Sequence, residues 1–354
     1  MTPADTAVSP PMPPGPITGP SAWRGADLKR TTDWIHYLNA EERAELDAAL
    51  RSVAGRDLLT LSAADFALPT FRRVLDGIRD ELLRGRGFAL IRGLEAQRYS
   101  LRELATIYWG IGTHLGKARS QNAAGHVLGH VRDIGRDADD PNERVYQTNR
   151  RQNYHTDSVD IVGLFCVNKA KRGGLSSIVS SVTIHNEVRA RRPDLAAVLF
   201  EPFHTDRRGE VPAGMKPWFA IPVFNWYEGA LTTMYVRRYI ESARRFDDVP
   251  PLTEAQREAM DLVDTLAEDS DLHLFMDFEP GDIQLVHNHQ ILHDRTAFED
   301  WPEPARKRHL LRLWLCPPDG RALPPCFAPR YGSVTIGDRG GIVVPNARLN
   351  ASLD

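Results

Sequence analysis

The period of the hydrophobic pattern changes about a third of the way along the chain, and this limits the fold more than any single motif does. Up to about residue 115, apolar residues recur at helical spacing in "LNAEERAELDAALRSV", "LPTFRRVLDGIRDELLRGRG" and "SLRELATIYWGIGTHLG". Asn39 and Ser100 stand where helix N-caps belong, and the glycines of the third segment are expected to break it. One short apolar strand, "FALIRGL", lies between them and closes at Gly93. Beyond residue 115 short apolar runs dominate: "IVGLFCVNKA", "IPVFNWYEGALTTMYV", "LHLFMDFEPGDIQLVHNHQILH" and "RHLLRLWLCP". Glu228-Gly229 and Pro280-Gly281-Asp282 mark turns within them. Helical patterns return in "SSVTIHNEVRARRPDLAAVLF", interrupted near Pro193, and in "LTEAQREAMDLVDTLAED", capped by Thr253. Helices first, then strands with helical insertions, predict a mainly β fold with flanking helices, built on a sandwich or barrel. A doubly wound parallel sheet would alternate strand and helix throughout.

The chain has 354 residues, enough for a sizeable core. Residues 1–22 are rich in proline and are expected to be disordered, leaving residues 23–354 as one domain. The segment after Pro317, rich in Pro, Gly and Arg, is expected to wrap the surface. A formal net charge of -3 gives no electrostatic case for nucleic acid or an anionic membrane. No apolar run approaches the ~20 residues that span a bilayer. The first twenty residues lack the basic and apolar regions of a signal peptide. Cys166, Cys316 and Cys326 are too few and too odd in number for a disulfide framework, and Cys166 and Cys316 read as small core residues. These features fit a cytoplasmic protein with a small-molecule partner and leave its oligomeric state open.

The chemistry concentrates in "NYHTDSVDIV", where His155 and Asp157 stand two positions apart at the edge of an apolar strand. Far downstream, "VHNHQILHDRTAF" holds His287, His289 and His293, which share strand parity. Two imidazoles and one carboxylate hold Fe(II) without filling its coordination shell, and so form the facial triad of non-haem iron oxygenases. Parity leaves three candidates for the second histidine. After His293 a polar segment, "DRTAFEDWPEPARK", leads into the last apolar strand. A hairpin centred near Asp300 and Trp301 would set His293 opposite Arg308. Arg308 and Arg312 alternate in step on that strand, and buried arginines are costly unless they meet an anion.

In "YHTDSVDIVGLFCV", "KRGGLSSIVSSVTIHNE", "PGDIQLVHNHQILHDRTAFED" and "RKRHLLRLWL", in this order, the chain resembles the TauD/TfdA family of Fe(II)- and 2-oxoglutarate-dependent dioxygenases. The resemblance covers about residues 85–316. It implies a double-stranded β-helix (jelly-roll) core with helical insertions. By the same resemblance His155, Asp157 and His293 are the iron ligands, and Arg308 binds the distal carboxylate of 2-oxoglutarate with help from Ser176, where the family often has threonine. Arg312 matches a second arginine found near cosubstrate or substrate. The implied reaction couples oxidative decarboxylation of 2-oxoglutarate by O2, giving succinate and CO2, to oxidation of a substrate C–H bond, normally to the alcohol. Asp157 argues against halogenation, because related halogenases lack this carboxylate.

Family members draw substrate contacts from the region upstream of the HTD motif, which makes Gln121, Asn122 and His130 candidates. Asn153 is a fourth, by its place beside the triad. Trp218, Phe219 and Trp226 read as packing residues. An amino acid or a natural-product intermediate is the expected substrate. The alternatives are a sulfonate- or aryloxyacetate-cleaving dioxygenase of the same fold and a non-catalytic jelly-roll binding protein. The last would have no use for Arg308 and Ser176.

Overall fold

A computed structural model describes residues 11–137, 140 and 144–353. Three helices near the N-terminus form an outer layer: Ala40–Ser52, Phe71–Arg84 and Leu101–Leu115. Asn39 and Ser100 each close a capping box, with Glu42 and Glu103 at the third helical position. The third helix does not break at its glycines. A Cβ at Gly110 would come within 2.3 Å of the Phe66 ring, and one at Gly112 within 2.7 Å of Leu313. Glycine serves close packing there, and the helix ends only at Gly116.

Two sheets carry the core. The larger runs Ile35–Tyr37, Phe88–Arg92, Ile283–His287, Ile161–Asn168, His309–Cys316 and Lys117–Ala118, with Leu128–Val131 also paired to His309–Cys316. The smaller runs His273–Met276, Ser176–Ser180, Ile291–Arg295 and Gln152–His155, all antiparallel. Alternation along the strands sorts the apolar residues. Val162, Cys166, Leu310 and Trp314 of the larger sheet meet Ile178, Leu274 and Ile291 of the smaller one in a shared interior. Phe165, Leu311, Leu313 and Leu315 turn the other way, against the N-terminal helices. The outer face of the smaller sheet is covered by Ser181–Arg191, Pro193–Val198 and Glu254–Ala267, the insertion helices expected around Pro193 and after Thr253.

Several expectations need correction. Helix, at 31%, outweighs strand, at 23%, so the fold is mixed rather than mainly β. The hairpin centred near Asp300 and Trp301 does not form. Ile291–Arg295 belongs to the smaller sheet and His309–Cys316 to the larger, while Phe298–Glu299 between them pairs with Arg172–Gly173. Strand parity gives a residue's face but not its sheet partner. The chain also changes sheets between His287 and Ile291, so the shared parity of the three histidines does not put them on one side. Of the segment expected to be disordered, residues 1–10 lie outside the described residues, and residues 13–22 are held in place. Asn186 bonds the backbone of Ile17 in both directions, Arg189 donates to Pro13 O, and Ser180 donates to Ser21 O. Finally, the segment after Pro317 is partly internal, with Leu323, Phe327, Arg330, Tyr331, Arg339 and Ile342 buried.

Candidate active site

His155 ends the strand Gln152–His155, and His293 lies directly opposite it on Ile291–Arg295. Their rings sit 4.1 Å apart, centroid to centroid. Asp157 follows His155 by two residues, so its carboxylate turns back toward the pair. His155 Nε2 lies 3.9 Å from Asp157 Oδ1, and His293 Nε2 lies 3.8 Å from Asp157 Oδ2. Among the described residues these three form the cluster whose donor atoms all fall within 4.8 Å of one another. His287 and His289 are elsewhere. His289 donates to Asp160, and His287 lies against Arg321.

The loop that carries Asp157 is stapled at both ends of its turn. Thr156 N donates to Tyr235 O, and Tyr235 N donates to the Thr156 hydroxyl. Asn288, fully buried, accepts from Asp157 N at 2.7 Å and donates to Asp157 O at 2.7 Å and Val159 O at 2.9 Å. The Asp157 side chain is steered from the last strand, where Trp314 Nε1 donates to Oδ2 at 3.0 Å and Arg312 approaches to 3.6 Å. Arg312 is in turn fixed by Gln121 Oε1 at 2.7 Å. Burial pushes the Asp157 carboxyl up, but Arg312, His293, His155 and Trp314 together outweigh this and hold it below the usual carboxylate range. Burial and the neighbouring His155 push His293 down to about 3, so its imidazole stays neutral. The carbonyl of Asn153 accepts from His155 Nδ1 at 2.8 Å, which makes Nε2 the lone-pair nitrogen, and Gln152 Nε2 donates to it at 2.9 Å.

These donors fit a first-row divalent metal. Separations of 3.8 and 3.9 Å lie within the ~4.2 Å that two donors span when each is about 2.1 Å from one ion. A carboxylate receptor lies beside them. Arg308, just ahead of the last strand, is buried with Nη1 unpaired, and burial lowers its pKa to about 10. The glycine pair explains its placement: a Cβ at Gly174 would come within 2.8 Å of Arg308 Nε. Ser176 shares hydrogen bonds with Gln284 on the facing sheet. The strand partner of Ser176 is Arg295, whose Nε and Nη1 are also buried and unpaired. Arg295 was legible only as the residue two past His293, on the same face. Arg308, Arg295, Ser176, His293 and His155 all line one small hollow between the sheets. His293 and Arg308 therefore meet across the sandwich interior rather than along a hairpin.

A cleft of about 400 Å³ opens over His155 and Asp157. Of the four expected substrate residues only Asn153 lines it. Gln121 is buried behind Arg312, Asn122 closes a turn through its bonds to Ala124 N and His126, and His130 bonds His309 and Ser352. All three are hydrogen-bonding residues whose partners the sequence does not declare. Phe219, read as packing, lines the cleft, whereas Trp218 donates to Asp248 and Trp226 packs with the insertion helices. The sequence reading missed Arg144, Arg238, Tyr239, Trp314 and Arg330 in the cleft wall.

Residues 54–314 match the family model described as "Taurine catabolism dioxygenase TauD, TfdA family". FR-33289 synthase of Streptomyces rubellomurinus is 30% identical over 317 residues, spanning 87% of this chain and 93% of the relative. A taurine hydroxylase-like protein of Stachybotrys chartarum is 30% identical over 324 residues, 86% of this chain and 83% of the relative. An asparagine oxygenase, solved with Fe(II), 3-hydroxyasparagine and succinate, superposes with a TM-score of 0.62 over 80% of this chain and 93% of that one. At 15% identity this last likeness shows the fold alone. Fold and donor set are those of a mononuclear metal oxygenase, and the chain belongs to the TauD/TfdA family. It is an Fe(II)- and 2-oxoglutarate-dependent dioxygenase. No helix among the described residues is long and apolar enough to cross a membrane.

Proposed function

We propose that the protein hydroxylates an unactivated C–H bond of a small molecule bound in the cleft above His155 and Asp157, with His155, Asp157 and His293 as iron ligands. The observation that carries this reading is the convergence of the three donors on one point at the cleft floor, with the unpaired Nη1 of Arg308 beside them. Two facing sheets with a shared apolar interior support the jelly-roll description of the core. When bound, Fe(II) supplies the O2 chemistry that turns 2-oxoglutarate into succinate and CO2 and oxidises the substrate.

The side chains prepare that chemistry. His293 offers a neutral nitrogen lone pair, His155 presents Nε2 beside it, and Asp157 stays ionised because Arg312 and Trp314 face it. Arg308 takes the distal carboxylate of 2-oxoglutarate and Ser176 assists. A carboxylate there removes the cost of leaving a buried guanidinium nitrogen unpaired. Arg312 steadies Asp157, with Gln121 fixing its Nε, and it lines the same hollow as Arg308, within reach of cosubstrate. Asn153 and Phe219 shape the substrate end of the cleft. The test is a library of small polar substrates assayed for succinate release with Fe(II) and 2-oxoglutarate. Hydroxylated product formed in step with succinate supports the reading. Wild-type protein that binds neither Fe(II) nor 2-oxoglutarate refutes it.

A further inference from the structure

Arg330 lies in the C-terminal segment, beyond the residues that match the family model. It is 92% buried, by its 8% exposure, yet it lines the cleft that holds His155 and Asp157. Its Nε donates to Ser158 Oγ at 2.6 Å, which is its one hydrogen bond among the described residues. Ser158 directly follows Asp157, so Arg330 is tied to the edge of the metal site. Its guanidinium also lies 5.6 Å from the centre of the Phe219 ring, and the carboxylate whose charge reaches it, Glu210, is already in an ion pair with Arg144. The neighbouring Arg144 does have a counter-charge, in Glu210, and donates to Tyr239.

A second guanidinium deepens the imbalance. Arg207 lies 5.1 Å from the centre of the same Phe219 ring, bonds only carbonyls and Met215 Sδ, and has its pKa lowered to about 10 by burial and by the charge of Arg330. Two buried cations at one aromatic ring, neither in an ion pair with a carboxylate among the described residues, are costly unless an anion completes the site.

We propose that Arg330 anchors a doubly charged oxyanion of the substrate, so that the substrate is a phosphate monoester or a phosphonate whose oxidised carbon lies near that group. The inference rests on the oxygenase reading of the cleft and deepens it. One face of the anion meets the free Nη atoms of Arg330, while Arg207 adds its field through the Phe219 ring. Ser158 fixes the guanidinium so that little orientational freedom is lost on binding.

The test is calorimetry on the full-length chain, kept anaerobic with Fe(II) and 2-oxoglutarate. The probes are methyl phosphate at pH 8, methanesulfonate, acetate and the neutral dimethyl sulfone. Methyl phosphate should bind tightest and the sulfone should not bind. Arg330→Gln should weaken methyl phosphate at least ~10-fold, while 2-oxoglutarate affinity in the same sample changes less than about 2-fold. Arg330→Lys should recover part of the loss. Methyl phosphate binding that ignores Arg330→Gln, with 2-oxoglutarate binding intact, overturns the subsite alone. Acetate or methanesulfonate bound as tightly as methyl phosphate overturns the doubly charged assignment. Loss of 2-oxoglutarate binding by the wild type refutes the oxygenase reading instead. Should Arg330→Gln fail to fold, the wild type still decides: methyl phosphate bound no better than dimethyl sulfone sinks the proposal.

Discussion

Asn288→Ala probes the part of the site that is least obvious and most exactly built. The Asn288 side chain makes three hydrogen bonds to the backbone of the Asp157 loop and is fully buried. The carbonyls of Asp157 and Val159 each keep a long contact, 3.5 Å, to the Tyr331 hydroxyl, so their loss is partial. The Asp157 amide keeps nothing. An abandoned buried donor costs ~1–3 kcal/mol, and with the two weakened carbonyls the total is about 3 kcal/mol of folding stability. The loop also loses the constraint that aims the Asp157 carboxylate, and losses of this kind lower metal affinity by roughly 10–100-fold. Urea unfolding of the metal-free protein measures the first effect, and anaerobic Fe(II) titration followed by calorimetry measures the second. Reduced stability with an unchanged iron affinity would separate folding from site geometry and refute the claim that Asn288 positions the ligand. Unchanged values of both would refute the whole account of the loop.

Arg308→Gln should raise the Kd for 2-oxoglutarate at least ~10-fold, because a charge-assisted carboxylate pair is worth on the order of 1.5–3 kcal/mol. Equilibrium binding with Fe(II) present checks this, and an unchanged Kd would move the receptor to Arg295. Acid stability should depend on Asp160, which pairs with Arg339 and accepts from His289. Burial pushes this carboxyl up, but His289 and Arg339 pull it further down, to about 2. A depressed folded-state pKa contributes stability above the ordinary value of 3.8 and loses it as pH falls toward 2, here about 2 kcal/mol. Unfolding midpoints from pH 5 to 3 should therefore fall more steeply for the wild type than for Asp160→Asn, and parallel slopes would contradict this.

Much of the site could be read from residue type and spacing. Metal ligands and a buried arginine announce themselves because few other roles suit them, and His155, Asp157, His293 and Arg308 do converge. Helix ends were legible for a similar reason: Asn39, Ser100 and Thr253 satisfy backbone donors within their own segment. What failed depended on distant partners. Nothing local says that the chain changes sheets between His287 and Ile291, so the strand to Arg308 was given the wrong neighbour. Gln121 has the composition of a pocket residue, yet its amide is spent on Arg312. The arginines after Pro317 look solvated in sequence, but Arg339 is buried against Asp160 and Arg330 faces the cleft. Asn288 stands among histidines and drew no notice, because a backbone staple has no sequence signature.

The central claim is that His155, Asp157 and His293 hold the iron, and iron affinity in a set of folded single variants tests it most directly. His293→Ala and Asp157→Ala should lose stoichiometric Fe(II) binding in anaerobic titration, with far-ultraviolet circular dichroism unchanged. His287→Ala, which removes a buried core ring beside Arg321, should still bind one Fe(II) wherever the variant is folded. If His293→Ala binds iron as the wild type does while His287→Ala does not, the cluster described here is not the metal site, and the assignment of Arg308 beside it falls as well.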